Sequence, residues 1–178
     1  DTRRRVAALH EAVARDAAGR VAGCRAEIDL AFAREGLATV LPALRATGLV
    51  HERVTHNDTK LDNVLLDDAT GAALAVLDLD TVMPGLVLAD FGDMVRTGAS
   101  VGREDDPDPA GQEVDPALFE ALVRGFLAGL GEELSPPEVE HLAAAGQVLT
   151  YETGVRFLAD HLDGDAYFAV HRDDHNLD

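Results

Sequence analysis

Apolar residues recur at Val6, Leu9 and Val13, then at Val21, Cys24, Ile28 and Phe32, in steps of three and four with Ala17 bridging the gap. That period predicts one long helix, or two joined near Gly19 to Gly23. A shorter helix is predicted with Leu37, Val40, Leu41 and Leu44 on one face, stopping at Gly48, where a left-handed cap is easy for glycine. The pattern then changes. Asn63 to Leu66 and Leu74 to Leu79 are short apolar runs separated by Asp67-Asp68-Ala69-Thr70-Gly71, a turn-forming cluster, and together they predict a β-hairpin.

Beyond the hairpin the helical period returns. Asp90 to Thr97 predicts a short helix ending at Gly98, and Gly102 to Glu113 is an acidic, Pro-containing stretch without periodicity that reads as a mobile loop with a solvated face. The next helix opens with Asp115 as cap and Pro116 in the first turn, packs Leu118, Phe119, Leu122, Phe126 and Leu130, and closes at Gly131. Ser135, with Glu138 three positions later, forms a capping box for a last long helix running to about Leu162, with Gly164 beyond it. The expectation is one domain over 1–178, of the α+β class and mainly helical, with a small β element at its functional edge.

Composition narrows the partners. A chain of 178 residues with 47% apolar content can bury a sizeable core. A net charge of -18 repels phosphate backbones and anionic lipid, so nucleic acid and the membrane surface are poor partners. Cys24 is the only cysteine, which excludes an intrachain disulfide and a cysteine-rich zinc site, and its place on an apolar stripe reads as core. The start is basic and then amphipathic, and no long uncharged apolar run occurs, so a soluble, cytoplasmic protein is expected.

Candidate chemistry gathers between Val54 and Asp80. Asp58 precedes Asn63 by five positions, and an apolar run ending in Asp78 follows fifteen positions after Asn63. This spacing matches the catalytic loop and metal-binding aspartate of protein-kinase-like phosphotransferases. Phosphoryl transfer to a hydroxyl needs a proton acceptor, a metal to neutralise phosphate oxygens, and a positive group near the transferred phosphoryl. Asp58 is the candidate base. Asn63 and Asp78, at the open end of one hairpin, offer hard oxygen ligands suited to Mg²⁺. Lys60, the only lysine of the chain, lies two positions after Asp58 and is within reach of the phosphate. Alternation along the strand puts Asp80 on the face of Asp78, where it can face the substrate, add to the metal site or cap the following turn, and the substrate-side role is the one expected. Arg156, with Thr153 and Asp160 at steps of three and four, reads either as a substrate-binding lip or as a surface ion pair with Asp160. His56 and Asp90 read as structural supports of the catalytic loop. Asp90-Phe91-Gly92 spells the kinase metal-binding triplet, but it opens a helix after a Pro84-Gly85 turn, 27 positions beyond Asn63, so Asp78 is the better metal ligand.

The stretches THNDTKLDNVLLDDATG and VLDLDTVMPGLVLADFGDMVRTGA resemble the aminoglycoside phosphotransferase and choline kinase superfamily, and within it most closely the N-acetylhexosamine 1-kinase branch. The helical lead-in, GVRFLADHLDGDAYF and HRDDHNLD extend the resemblance through most of the chain. It implies the carboxyl-terminal lobe of a kinase that uses ATP and Mg²⁺ to phosphorylate the anomeric hydroxyl of a free sugar. It also implies Asp58 as base, Asn63 and Asp78 as metal ligands, and Lys60 as the phosphate contact. No lysine precedes Asp58, and the four glycines there form no phosphate-covering loop, so the nucleotide-anchoring amino-terminal lobe is expected to be absent. That lobe is expected to pack on this chain, which alone should be close to inactive. Two rival readings stand beside this one. The first is a kinase-derived scaffold binding a sugar or a protein. The second is a haloacid-dehalogenase-like phosphatase using Asp78 and Asp80, which needs a parallel sheet and a later lysine.

Overall fold

The computed structural model describes residues 1–102 and 113–177. The acidic stretch read as a loop lies almost wholly outside the described residues. Two helices form the start, α1 (Thr2–Arg15) and α2 (Arg25–Ala33), separated at Asp16, whose left-handed backbone (φ 42°) ends α1. A 3₁₀ turn, Glu35–Thr39, leads into α3 (Val40–Ala46), and Gly48 adopts φ 72° just beyond it.

Four short strands follow among the described residues. β1 (Glu52–Thr55) pairs antiparallel with β4 (Met83–Leu86), and β2 (Val64–Leu66) pairs antiparallel with β3 (Ala73–Val76). The second pair is the predicted hairpin. Its turn is built by Asp67, whose Oδ1 accepts hydrogen bonds from the amides of Ala69 and Thr70 and from Thr70 Oγ1, a local network that aspartate forms readily. The first pair departs from the sequence reading, because Pro84 and Gly85 form a strand and not a turn.

The remaining helices are α4 (Val87–Gly98), α5 (Pro116–Leu130), α6 (Pro136–Glu140) and α7 (Leu142–Leu162). Asp115 caps α5 by accepting from the amides of Ala117 and Leu118, and Ser135 and Glu138 form the expected capping box. The expected last helix is two. His141 Nδ1 lies 2.7 Å from the Pro137 carbonyl oxygen, the acceptor that its own amide would take in a continuous helix, and that amide bonds to Glu138 instead. Glu138, in the first turn of α6, is wholly buried and accepts from Arg53 Nη2 on β1 at 2.8 Å.

Two apolar clusters share α7. One joins Phe91, Leu88 and Val95 of α4 to Phe126, Ala145 and Val148, and the other joins Leu9, Ala12, Cys24 and Ile28 to Val155, Leu158 and Leu162. α4 and α7 approach closely through reciprocal glycines. A Cβ on Gly92 would collide with the Ala145 carbonyl, and one on Gly146 would come within 2.8 Å of Val95 Cγ1. This packing seats α4, the helix that carries Asp90, against α7. Among the described residues no helix is long and apolar enough to cross a membrane.

Candidate active site

The loop that leaves β1 carries His56, Asn57, Asp58, Thr59 and Lys60, and it is held from beneath by Asp90. The His56 amide donates to Asp90 Oδ2 at 2.9 Å and the Asn57 amide to Oδ1 at 2.7 Å, while Thr59 Oγ1 donates to the Asp90 carbonyl at 2.6 Å. Asp90 lies in the first turn of α4, where a carboxylate also meets the positive end of the helix dipole. Its neighbour Phe91 is fully buried, so the anchor is set by the core.

Asp58, Lys60 and Asn63 converge. Asn63 ends the 3₁₀ turn Leu61–Asn63 and is 6% exposed. Its Nδ2 donates to the Asp58 carbonyl at 2.8 Å and to Asp58 Oδ2 at 2.9 Å. Two acceptors on one side fix the amide orientation, so Asn63 Oδ1 faces the other way. Lys60 Nζ lies 3.3 Å from the same Asp58 Oδ2. Asp58 Oδ1 has no hydrogen-bond partner among the described residues, which leaves one carboxylate oxygen open on a half-buried side chain.

The hairpin brings Asp78 to the same end. The Leu77 amide donates to the Asn63 carbonyl at 2.8 Å, which is the last cross-strand bond before Asp78. Asp78 is exposed and adopts the left-handed conformation at φ 57°, ψ 64°, which turns the chain out of the hairpin. The expected continuation of the strand to Leu79 is therefore corrected. β3 ends at Val76, and Asp80 lies in a 3₁₀ turn, Leu79–Thr81, so strand alternation does not place it on the face of Asp78. Asp80 is exposed.

The donor set suits Mg²⁺. Asn63 Oδ1 and the Asp78 carboxylate are hard oxygens without protein partners among the described residues, and two protein ligands are enough for an ion that keeps phosphate and water as its others. No group of three or more histidine, cysteine or acidic side chains that could by itself hold a metal ion occurs among the described residues. A bound Mg²⁺ would supply charge neutralisation to phosphate oxygens at this end of the hairpin.

Arg156 lies apart from these groups in its contacts. Its guanidinium sits 5.2 Å from the centre of the Phe168 ring. The surface ion pair with Asp160 does not form. Asp160 is buried and accepts instead from the amides of Ala166, Tyr167 and Phe168 and from Asn176 Nδ2. Those bonds fold the segment after α7 back beside Arg156 and present Tyr167, 76% exposed, next to Phe168.

The sequence reading passed over Asn57 and Thr81 and placed Gly85 in a turn. Thr81 Oγ1 donates to the His56 carbonyl at 2.6 Å, and Asn57 Nδ2 donates to the Thr81 carbonyl at 3.0 Å. The only available signal was an asparagine between two chemically notable residues, a type that tolerates positive φ; its φ is 63°.

A mainly helical fold with a short hairpin, and a loop on which aspartate, lysine and asparagine converge, fits the class of kinase-like phosphotransferases. Residues 1–142 match the family model of the Phosphotransferase enzyme family, APH. The chain belongs to this family. Enzymes of this kind generally use ATP and Mg²⁺ and act on small molecules.

Proposed function

We propose that this chain is the carboxyl-terminal lobe of a cytoplasmic kinase that transfers the γ-phosphoryl of ATP to the anomeric hydroxyl of an N-acetylhexosamine, giving the sugar 1-phosphate. The observation that carries the kinase reading is the Asp58 carboxylate. One oxygen is held by Asn63 and Lys60, and the other is left open to accept a hydroxyl proton. Lys60 contributes positive charge beside the transferring phosphoryl, and Asn63 with Asp78 holds Mg²⁺. The sugar assignment rests on the resemblance of the motif stretches and of GVRFLADHLDGDAYF, in which Arg156 contributes to the acceptor side, with Asp80 as a further substrate-side residue.

A second lobe is part of the proposal. Val54 is 79% exposed and Leu74 61%, and Leu61, Leu65, Val76, Leu79 and Met83 are also exposed, an apolar stretch centred on the hairpin. Such a surface is stable in water when another body covers it. A nucleotide-anchoring lobe is the occupant proposed here. Both strand pairs are antiparallel, which favours this reading over the phosphatase one, whose nucleophile stands on a parallel sheet.

The test is ADP release by the enzyme carrying both lobes, with N-acetylglucosamine, N-acetylgalactosamine, choline and an aminoglycoside offered in parallel. Turnover with either sugar supports the reading. Turnover with choline or the aminoglycoside alone rejects the sugar 1-kinase assignment. No turnover with any acceptor favours a binding scaffold.

A further inference from the structure

We propose that Asn57 is a positioning residue that locks the loop bearing Asp58 to the turn bearing Asp78, so that proton acceptor and metal ligand keep one fixed separation. The inference rests on the phosphotransferase reading for its catalytic meaning, and on geometry for the link itself.

The two segments are 20 or more positions apart in sequence, and each spans from one strand pair to the other, the loop leading from β1 to β2 and the turn from β3 to β4. Asn57 joins them through its side chain. Nδ2 donates to the carbonyl of Thr81 at 3.0 Å and approaches that of Met83 at 3.5 Å, and on its own side it donates to the Thr55 carbonyl at 3.2 Å. Oδ1 accepts from Thr55 Oγ1 at 3.1 Å, and that hydroxyl also lies 3.0 Å from the Met83 carbonyl. Neighbouring bonds run the same way. Thr81 Oγ1 donates to the His56 carbonyl at 2.6 Å, and His56 Nε2 lies 3.0 Å from the Leu77 carbonyl, immediately before Asp78. His56 and Asn57 thus grip the turn at both ends.

Two further features show that the fit is built around this side chain. Asn57 has φ 63°, a conformation in which glycine would be the undemanding choice, so an asparagine there brings a side chain at some backbone cost. Opposite it, Gly85 has no room for a Cβ, which would collide with Thr55 Oγ1 and come within 2.8 Å of Asn57 Oδ1. The strand carries a glycine where the Thr55 hydroxyl and the Asn57 side-chain amide meet it. Meanwhile the Asn57 amide is held by Asp90, so the side chain swings from a fixed point.

Asn57→Gly separates the positioning role from a purely conformational one, because glycine satisfies φ 63° without the amide. Asn57→Asp is the second variant. It keeps an oxygen for Thr55 but replaces the donor with a carboxylate facing two carbonyls. In amide hydrogen exchange on the present chain, both variants are expected to speed exchange at Thr81 and Val82 by about five- to tenfold, the loss of roughly one hydrogen bond, with α4 and α7 unchanged. In the enzyme carrying both lobes, both should lower kcat by about 10- to 100-fold while KM for acceptor and ATP stays within about twofold, since misplacement by a fraction of an ångström costs the reaction and not binding. Unchanged exchange at Thr81 and Val82, or a kcat within about twofold of wild type, overturns the proposal. If wild-type enzyme phosphorylates no acceptor, the functional reading fails, and the exchange result alone decides whether Asn57 makes the link.

Discussion

Asn63 Nδ2 lies 2.9 Å from Asp58 Oδ2 and 2.8 Å from the Asp58 carbonyl, so one buried amide group holds both the side chain and the backbone of the proposed base. The oxygen of the same amide points away from Asp58, since both Asp58 acceptors face its nitrogen. One residue would therefore couple the direction of the carboxylate to the proposed metal donor set. Asn63→Asp separates these two duties. It keeps an oxygen ligand but puts a second carboxylate against Asp58, where like charges repel. Turnover in the enzyme carrying both lobes is expected to fall by about 10²-fold or more, although the ligand oxygen survives. Activity near wild type, read by ADP release, would show that orientation of Asp58 by the amide is unimportant.

Magnesium binding should depend on nucleotide. One carboxylate and one amide oxygen make a thin site, and the ion retains water readily when no phosphate completes its shell. Isothermal titration of Mg²⁺ into the chain alone is expected to give weak binding. Tight binding that persists in Asp78→Ala would place the ion elsewhere.

The contact between α4 and α7 should be intolerant of one methyl group. Gly92→Ala drives a Cβ into the Ala145 carbonyl, which is backbone and cannot rotate away. A loss of about 1–3 kcal/mol is expected from overpacking of this kind, measured by urea denaturation. Because α4 carries Asp90, the variant should also loosen the loop at His56 and Asn57.

Acid stability should depend on Asp165. Burial pushes its carboxyl up, but hydrogen bonds from Arg20 and Asn176 outweigh burial and hold it below the usual carboxylate range. A pKa lower in the folded than in the unfolded state adds stability above the unfolded value of about 3.9, and that stability is lost as pH falls through the folded value. Thermal denaturation from pH 6 down to pH 3 should therefore show a shallower acid decline in Asp165→Asn than in wild type. Parallel curves would remove Asp165 from the acid response.

How far the chain could be read from its sequence follows from the range of the interactions. The hairpin was legible because its turn is made by Asp67 and Thr70, three residues apart. The caps at Asp115 and Ser135 are equally local. The pairing of β1 with β4 was not legible, since Pro84 and Gly85 are poor strand formers and the partner strand lies about thirty positions earlier. A two-stranded pair has outer edges, and there proline is tolerated. The break at His141 depends on which donor reaches the Pro137 carbonyl, a competition that helical periodicity does not encode. In the site, the spacing of Asp58, Asn63 and Asp78 was visible, whereas the grip of Asn57 on Thr81 appears only once the loop and the turn are side by side.

The most direct test of the central claim is Asp58→Asn in the enzyme carrying both lobes, assayed by ADP release with an N-acetylhexosamine. The substitution keeps the shape of the side chain and removes its capacity to take a proton. Turnover is expected to fall by a factor on the order of 10² or more, with ATP affinity nearly unchanged. Full turnover of Asp58→Asn would contradict the assignment of Asp58 as the base.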